Sequence, residues 1–309
     1  MKLSNMLGDK LYQFNISNIQ NEKDIDSLGL IKYNSGKNIC TFLEKIEYLD
    51  NLNSDISMVI TDHEKANYIL SNKRDIGVII SDNPRVLFFN IHNYLSDLEI
   101  YKREKKKNYI GNDVSIGKYS SIAPNNVYIG DNVIIEDFVS IRENTFIGNN
   151  SIIRSGSVVG GSGFEFKKNI GSGFNFFVEH IGGVKIGDSV EVQYNTCIDK
   201  AIYPWDDTII DDYTKIDNLV HIAHGVKIGM NSYIVAGAKI GGRCKIGSNA
   251  WIGIGAIIRN GINVASNARV NMGAVVTKNI AEGEAVSGNF AINHRDFIDN
   301  LKKTSKEGE

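Results

Sequence analysis

Cysteine and proline are scarce in this chain of 309 residues, with three of each. Cys40, Cys197 and Cys244 lie far apart and form no C-x-x-C pair, so we expect no disulfide and no metal site, and a reducing compartment. No apolar run reaches the 18 residues of a membrane span, and the N-terminus lacks an apolar signal segment. A net charge of −2 gives no reason to expect a nucleic-acid partner. We expect a soluble, cytoplasmic protein without membrane insertion.

Glycine, in contrast, is abundant, and many of the 30 glycines follow an aliphatic residue at a fixed interval. Every sixth residue from Ile216 to Val276 is isoleucine or valine, and a second register of the same period runs from Ile129 to Val159. The position two residues earlier is mostly small in the long register. A period of six matches neither an α-helix nor a single strand.

This period is typical of a coil of short parallel strands joined by tight turns, with one inward aliphatic residue in each hexad. A three-sided coil takes eighteen residues, so residues eighteen apart should stack at a spacing of about 4.8 Å. We predict a parallel β-helix over residues 109–288. Two irregular segments interrupt it, one between Val159 and Val184 and one at 199–207, and such insertions usually build the binding face.

The first 105 residues follow a different pattern. Strands are predicted at 57–61 and 76–81, a capping box at Thr61 and Glu64 predicts one helix, and Asn83-Pro84 predicts a second. The fold class is therefore mainly β, with a small N-terminal α/β domain over 1–105 and a short C-terminal helix and tail over 289–309.

Two histidines stand out in the segment DNLVHIAHGVKIG at 217–229. Ile222 takes the inward position of that hexad, His221 flanks it and His224 lies two residues beyond it. Neither imidazole is therefore expected to lie in the core of the coil.

The hexads, the GGSGFEF loop, IGDSVEVQYNTCID, the histidine segment and AVSGNFA together resemble the left-handed β-helix acyltransferases. The likeness is strongest to the UDP-3-O-acylglucosamine N-acyltransferases and related N-acyltransferases of nucleotide-linked amino sugars. It covers nearly the whole chain and implies the left hand of the coil. It also implies a homotrimer with sites between neighbouring coils, the sugar nucleotide lying between the N-terminal domain and the coil, and an acyl thioester along the coil.

The resemblance implies three catalytic residues. His224 matches the base that takes a proton from the attacking amine, for which a neutral imidazole with an ordinary pKa near roughly 6.5 is suited. Asp217 matches the residue that orients this base, and Gly242 matches the amide donor to the oxyanion. A corner-capping role for Asp217 and a turn role for Gly242 stay open.

The lipid A enzymes grip uracil with a phenylalanine, an asparagine and a tyrosine, and Met58, Thr61 and Glu64 are predicted to stand in their places. An insertion bearing Tyr203 and Trp205 is also longer here. These departures favour a dTDP-linked dideoxy amino sugar as the acceptor. UDP-3-O-acylglucosamine, acylated from acyl carrier protein, is the alternative.

The remaining expected site residues bind substrates. His221, Asn218 and Phe164 are predicted to contact the sugar nucleotide. For His221, a structural role stays equally open. Acyl-CoA is the expected co-substrate, no cofactor is expected to be permanently bound, and the donor-binding candidates besides Gly242 are Lys239, Arg243 and Arg259, which a solvated face would also explain. A rival hypothesis is a non-catalytic structural or binding β-solenoid, which would need no base in a cleft.

Overall fold

The computed structural model describes residues 1–299 except 15, 17, 32–35, 73–74, 169–172, 289–290, 292 and 297. Within the predicted C-terminal helix, residues 294–296 and 298–299 are helical, and the tail from 300 onward lies outside the described residues. Among the described helices, none is long and apolar enough to cross a membrane.

The N-terminal domain is built on a five-stranded sheet that is parallel except at its first strand. Its strands, in spatial order, are Ile19–Gln20, Gly77–Ile80, Ile56–Thr61, Ile39–Phe42 and Ser27–Leu28. Its helices are α1 (Leu3–Leu7), α2 (Lys10–Gln13), α3 (His63–Asn72) and α4 (Pro84–Ser96), with a 3₁₀ helix at Ile46–Asn51. The two predicted strands and two predicted helices are confirmed.

The capping box predicted at Thr61 is wrong. The Thr61 hydroxyl is buried and donates to the Leu43 carbonyl at 2.9 Å. Asp62 caps α3 instead, because its Oδ1 accepts a hydrogen bond from the Lys65 amide at 3.0 Å. The strand therefore runs one residue too far for Thr61 to serve the helix.

Apart from the two insertions, the described residues between Tyr109 and Val286 form the left-handed parallel β-helix, with three flat faces. The first face comprises Ser115–Ile116, Ile134–Ile135, Ile152–Ile153, Glu191–Val192, Lys215–Ile216, Tyr233–Ile234, Trp251–Ile252, Arg269–Val270 and Ala285–Val286. The second comprises Ser121–Ile122, Ser140–Ile141, Val158–Gly161, Cys197–Asp199, His221–Ile222, Lys239–Ile240, Ile257–Ile258 and Val275–Val276. The third comprises Tyr109–Ile110, Val127–Ile129, Thr145–Ile147, Gly183–Ile186, Asp207–Ile210, Lys227–Ile228, Lys245–Ile246 and Asn263–Val264.

The eighteen-residue stacking is confirmed where the coil is uninterrupted. Ile222 pairs with Ile240, and Ile240 pairs with Ile258. These inward isoleucines are at most 2% exposed and form one continuous apolar core with the other hexad positions. Burial of this ladder is what stabilises a coil whose strands are too short to be stable alone.

The corners explain the polar residues between hexads. Asn231 and Asn249 adopt the left-handed backbone conformation, with φ of 58° and 57°, which asparagine tolerates better than most residues. The Asn231 side chain donates to Asn249 Oδ1 at 2.8 Å, so stacked corners also bond to one another.

Both insertions attach the N-terminal domain to the coil. The first contains an antiparallel hairpin, Phe166–Lys168 with Asn175–Phe177, which packs on α4. In the second, the Trp205 indole donates to the Leu28 carbonyl at 2.9 Å and stacks on Tyr203 with ring centroids 5.8 Å apart. The position of the N-terminal domain over the coil therefore depends on both.

Candidate active site

His224 lies at the corner between the second and third faces, directly after the strand His221–Ile222. Ile222 fills the inward position, as predicted, and is 0% exposed. The His224 side chain is nevertheless 6% exposed, because the first insertion folds over it. His180 from that insertion packs edge-on against its ring, with centroids 5.4 Å apart.

The His224 imidazole is neutral at neutral pH. Burial, and next the positive charge of Arg243, lower the pKa of His224 to about 3, although Glu165 opposes the shift. Neither ring nitrogen has a hydrogen-bond partner among the described residues. A neutral, unpartnered imidazole can accept a proton, but the expectation of an ordinary histidine pKa is wrong for this buried site.

Glu165, which sequence reasoning missed, lies close to His224. Its Oε2 lies 3.6 Å from His224 Nε2, while its Oε1 pairs with Lys167. Burial alone would raise the pKa of Glu165, but the Lys167 ammonium, with a smaller effect of Arg243, holds it below the ordinary value. The site therefore contains a carboxylate beside a neutral imidazole.

Gly242 lies directly above His224, one coil further on. A Cβ built at Gly242 would lie 2.6 Å from His224 Nε2, so no larger residue fits there without moving the ring. The Gly242 amide donates to Asn260 Oδ1 at 3.1 Å. The predicted role as a free oxyanion donor is therefore not met in this structure, and the glycine acts here by leaving room for the imidazole.

Asp217 and Asn218 lie at the other end of the His221–Ile222 strand. Asp217 accepts hydrogen bonds from the amides of Asn218 at 2.7 Å and Ala236 at 3.1 Å, and Asn218 Oδ1 accepts one from Tyr194 N at 3.1 Å. Both side chains cap corners. Within one chain, both side chains lie at the opposite end of that strand from His224, and the roles predicted for Asp217 and Asn218 stay predictions.

Asp199 is the buried carboxylate on the His224 side of that strand. A Cβ built at Gly163 would lie 3.0 Å from Asp199 Oδ2 and 3.1 Å from His224 Nδ1, so both atoms border the same small space. Asp199 Oδ2 is also 3.8 Å from Nε2 of His221, whose side chain is 46% exposed. Burial raises the pKa of Asp199, and the His221 charge opposes this. The structure therefore places His221 beside the site and open to solvent.

Four predicted substrate-binding residues lie elsewhere. Met58 and Thr61 are 0% exposed in the core of the N-terminal domain, because their strand is the middle of five. Tyr203 is 2% exposed and Trp205 packs beside it at the domain contact. In a single chain these four side chains pack against other protein groups, and their predicted contact with substrate stays a prediction.

A cleft of about 540 Å³ lies between the N-terminal domain and the coil, and Arg243 of the corner above His224 lines it. The N-terminal domain contributes Phe42, Tyr48 and Arg85, and the coil contributes Arg243 and Lys245. The Arg85 guanidinium lies 5.6 Å from the Phe42 ring centroid. Arg85 pairs with the Glu44 carboxylate of the same cleft, which leaves Arg243 and Lys245 as cations without that partner. Aromatic rings beside two such cations suit a planar base carrying phosphates.

The sequence carries one signal for Phe42 and Tyr48, which is their spacing. They are six residues apart, the same spacing as Met58 and Glu64, which were assigned instead. The exposed loop after the strand Ile39–Phe42 is the segment that faces the coil, whereas Ile56–Thr61 is enclosed by neighbouring strands. Spacing alone did not separate the two.

The donor-binding candidates are spread out. Arg243 lines the cleft, and its Nη2 is buried without a hydrogen-bond partner among the described residues. Lys239 and Arg259 are exposed on the coil, with Lys239 directly above His221 on the second face. Phe164, a predicted contact of the sugar nucleotide, is 89% exposed at the tip of the first insertion. Arg243 therefore lies close to His224, whereas Lys239, Arg259 and Phe164 lie on the surface.

The chain matches the bacterial transferase hexapeptide family (six repeats) at residues 126–161 and 207–242. UDP-3-O-acylglucosamine N-acyltransferase 2 of Legionella pneumophila is 50% identical over 143 residues, 46% of this chain and 40% of that protein. UDP-3-O-acylglucosamine N-acyltransferase of Rickettsia typhi is 59% identical over 137 residues, 44% of this chain and 38% of that protein.

Among solved structures, UDP-N-acetylglucosamine acyltransferase from Campylobacter jejuni superposes with a TM-score of 0.53 at 22% identity, covering 64% of this chain and 79% of that chain. The alignments to the first curated relatives span between 24% and 40% of those proteins' length. The fold of this chain is a left-handed parallel β-helix, and its repeats resemble those of the bacterial transferase hexapeptide family and of the acyltransferases that carry this repeat.

Proposed function

We propose that the chain is an N-acyltransferase that moves an acyl group from a thioester to the amine of a UDP-linked amino sugar of the UDP-3-O-acylglucosamine class. One observation carries this proposal: a buried, neutral imidazole, His224, stands beside a cleft lined by aromatic rings and cations. Arg243 connects the two, since it lines the cleft and its charge acts on His224. The names of the relatives support UDP over dTDP.

In the proposed step, the amine nitrogen attacks the thioester carbonyl carbon. The carbon–nitrogen bond forms while the carbonyl π electrons move to oxygen, and a proton passes from nitrogen to a ring nitrogen of His224. The intermediate then collapses, the carbon–sulfur bond breaks, and the thiolate takes the proton from the imidazolium. The products are an amide and a free thiol, with His224 neutral again.

The cleft supplies the positioning for this reaction. Tyr48 is 40% exposed and free to stack on the base, and the buried Thr41 hydroxyl, without a hydrogen-bond partner among the described residues, lines the same cleft. Arg243 and Lys245 would neutralise the diphosphate, while Arg85 pairs with Glu44. Binding energy from the nucleotide would then hold the sugar amine near His224.

A homotrimer is part of the proposal. Apolar residues on the second face are exposed in a single chain, with Ile257 44% and Val275 65% exposed, and contact with a second copy would bury such residues. Light scattering at micromolar concentration tests this, and a monomer would contradict it.

Substrate screening tests the activity. Purified protein is mixed with UDP-3-O-acylglucosamine or with a dTDP-linked amino sugar, each with acyl-CoA and with acyl carrier protein thioester, and free thiol is measured. We expect thiol release and amide formation with the UDP sugar, lost in His224→Ala. Faster turnover of the dTDP sugar would overturn the nucleotide assignment, and no turnover with any pair would favour a binding solenoid.

A further inference from the structure

We propose that Glu165 binds the acceptor nitrogen through its second N–H and so selects amines over hydroxyls. This inference rests on the proposed function, because it concerns the acceptor of that reaction. It starts from the carboxylate that the first insertion places beside the base.

The two oxygens of Glu165 have different surroundings. Oε1 is taken by Lys167, an ion pair that fixes the carboxylate and keeps it ionised. Oε2 faces His224 Nε2 at 3.6 Å. That distance is too long for a hydrogen bond between the two atoms. With the ring proton on Nδ1, which borders the same space as the Asp199 carboxylate, Nε2 and Oε2 form a pair of acceptors 3.6 Å apart.

A donor placed between these atoms can reach both. A nitrogen at about 2.9 Å from each acceptor satisfies ordinary hydrogen-bond geometry, because the two acceptors are close enough to share one neighbour. An amine has two N–H bonds, so it can give one to His224 and one to Glu165 while its lone pair remains for attack. A hydroxyl has one O–H bond and must leave one of the two acceptors unsatisfied.

Burial increases the difference in binding free energy between an amine and a hydroxyl at this place. The Glu165 side chain is 13% exposed and the His224 side chain 6% exposed, so water has little access to a carboxylate oxygen that a hydroxyl leaves unpaired. An unpaired charged acceptor in such a place is costly. The same carboxylate also favours the imidazolium that forms when His224 takes the proton.

The hairpin holds Glu165 in place through α4. The Glu165 carbonyl accepts a hydrogen bond from Val178 N at 2.9 Å. Next to it, Asn93 of α4 donates to the Phe177 carbonyl at 2.6 Å and accepts from Glu179 N at 3.0 Å. The carboxylate is therefore fixed by backbone bonds on both strands of the hairpin, not carried on a free loop tip.

Glu165→Gln tests the proposal because it keeps the shape and removes the charge. Glu179→Gln is the matched control, since Glu179 is exposed on the same insertion. Calorimetry without any acyl donor compares UDP-glucosamine with UDP-glucose, which carries a hydroxyl in place of the amine. We expect Glu165→Gln to lower the preference of the protein for UDP-glucosamine over UDP-glucose by about tenfold to a hundredfold, through weaker binding of UDP-glucosamine. Glu179→Gln should change the binding of neither sugar.

Equal weakening for both sugars would overturn the proposal, because Glu165 would then only shape the insertion. Unchanged binding of both would overturn it as well. Binding is measured without turnover, so this test stands apart from the activity screen. If the wild type binds UDP-glucosamine more tightly than UDP-glucose yet transfers no acyl group, the proposed reaction fails while the amine selectivity of Glu165 remains.

Discussion

Gly242 lies above the His224 ring so closely that a Cβ on Gly242 would be 2.6 Å from Nε2. Real Cβ atoms do not approach a ring nitrogen this closely, so any side chain at position 242 must push the imidazole away. The contact comes from the eighteen-residue repeat, which stacks one corner of the coil on the next.

Gly242→Ala should therefore displace the base and lower turnover by about a hundredfold, within the range for loss of a general base. Gly161→Ala is the control, because a Cβ there would meet Val158 at an ordinary 3.5 Å. Steady-state kinetics and thermal unfolding of both variants check this. Near wild-type turnover in Gly242→Ala would show that the imidazole does not take part in the reaction or has room to move.

His224→Ala should lower turnover by roughly 10²–10⁴-fold while the protein stays folded, because Ile222 holds the inward position. The pKa of His224 is lowered to about 3, chiefly by burial and then by Arg243, with smaller effects of Glu165, His180 and Lys167. The base form is thus present at every pH well above that value. The acceptor ammonium titrates equally in both proteins, so the ratio of wild-type to variant kcat/KM should be flat from about pH 5 to 8.

The pH–rate profiles of the two proteins provide that ratio. A ratio that falls as the pH is lowered, with a midpoint near roughly 6.5, would show that His224 titrates in the usual histidine range. In that case, bound substrate or a neighbouring copy of the chain changes the surroundings of the ring.

Tyr48→Ala should weaken UDP binding by about tenfold or more, because one stacked base is worth about 1–3 kcal/mol. Tyr119→Ala is the control: Tyr119 is also an exposed tyrosine, but it stacks on Phe138 of the coil, away from the cleft. Calorimetric titration with UDP measures both. Equal affinities in the two variants would place the nucleotide outside this cleft.

Buried histidines should make the protein less stable in mild acid. Burial lowers the pKa of His92 to about 4, although its bond to the Glu179 carbonyl opposes the shift. Unfolded His92 titrates near roughly 6.5, so the unfolded chain binds a proton that the folded chain does not bind, and stability falls as pH decreases from about 6.5 to about 4. Burial likewise lowers the pKa of His180 to about 4.

His92→Gln removes one of these titrations. Between pH 7 and pH 5 the variant should lose about 2 kcal/mol less unfolding free energy than the wild type. His63→Gln, at an exposed position of α3, should behave like the wild type. Urea unfolding at both pH values measures this, and parallel losses in wild type and His92→Gln would contradict it.

The fold was predictable from the sequence because the hexad repeat is a local rule applied many times. Each inward isoleucine or valine between Ile216 and Val276 indicates the same unit of one strand and one corner. A wrong assignment at one hexad therefore does not change the assignment of the next. The position of His224 outside the core followed from that register, and so did the stacking of Gly242 above it. What the Gly242 amide bonds to did not follow, because Asn260 of the next corner reaches it by its side chain.

The insertions were not predictable in this way, since they have no period. Glu165 and His180 reach the base through a hairpin whose path depends on its bonds to α4. Likewise, Phe42 and Tyr48 face the cleft because the Ile39–Phe42 strand ends beside the coil. Sequence spacing could not tell this segment from the buried strand that carries Met58.

The amino-acid sequence by itself determined the β-helix, its three-sided register and the exclusion of His224 from the core, because short-range repetition sets each of these. Only the tertiary structure decided which carboxylates lie near the base and what lines the cleft. Those contacts join residues far apart in the chain, and they form only when the N-terminal domain and both insertions pack against the coil. The burial that lowers the pKa of His224 is a result of the same packing.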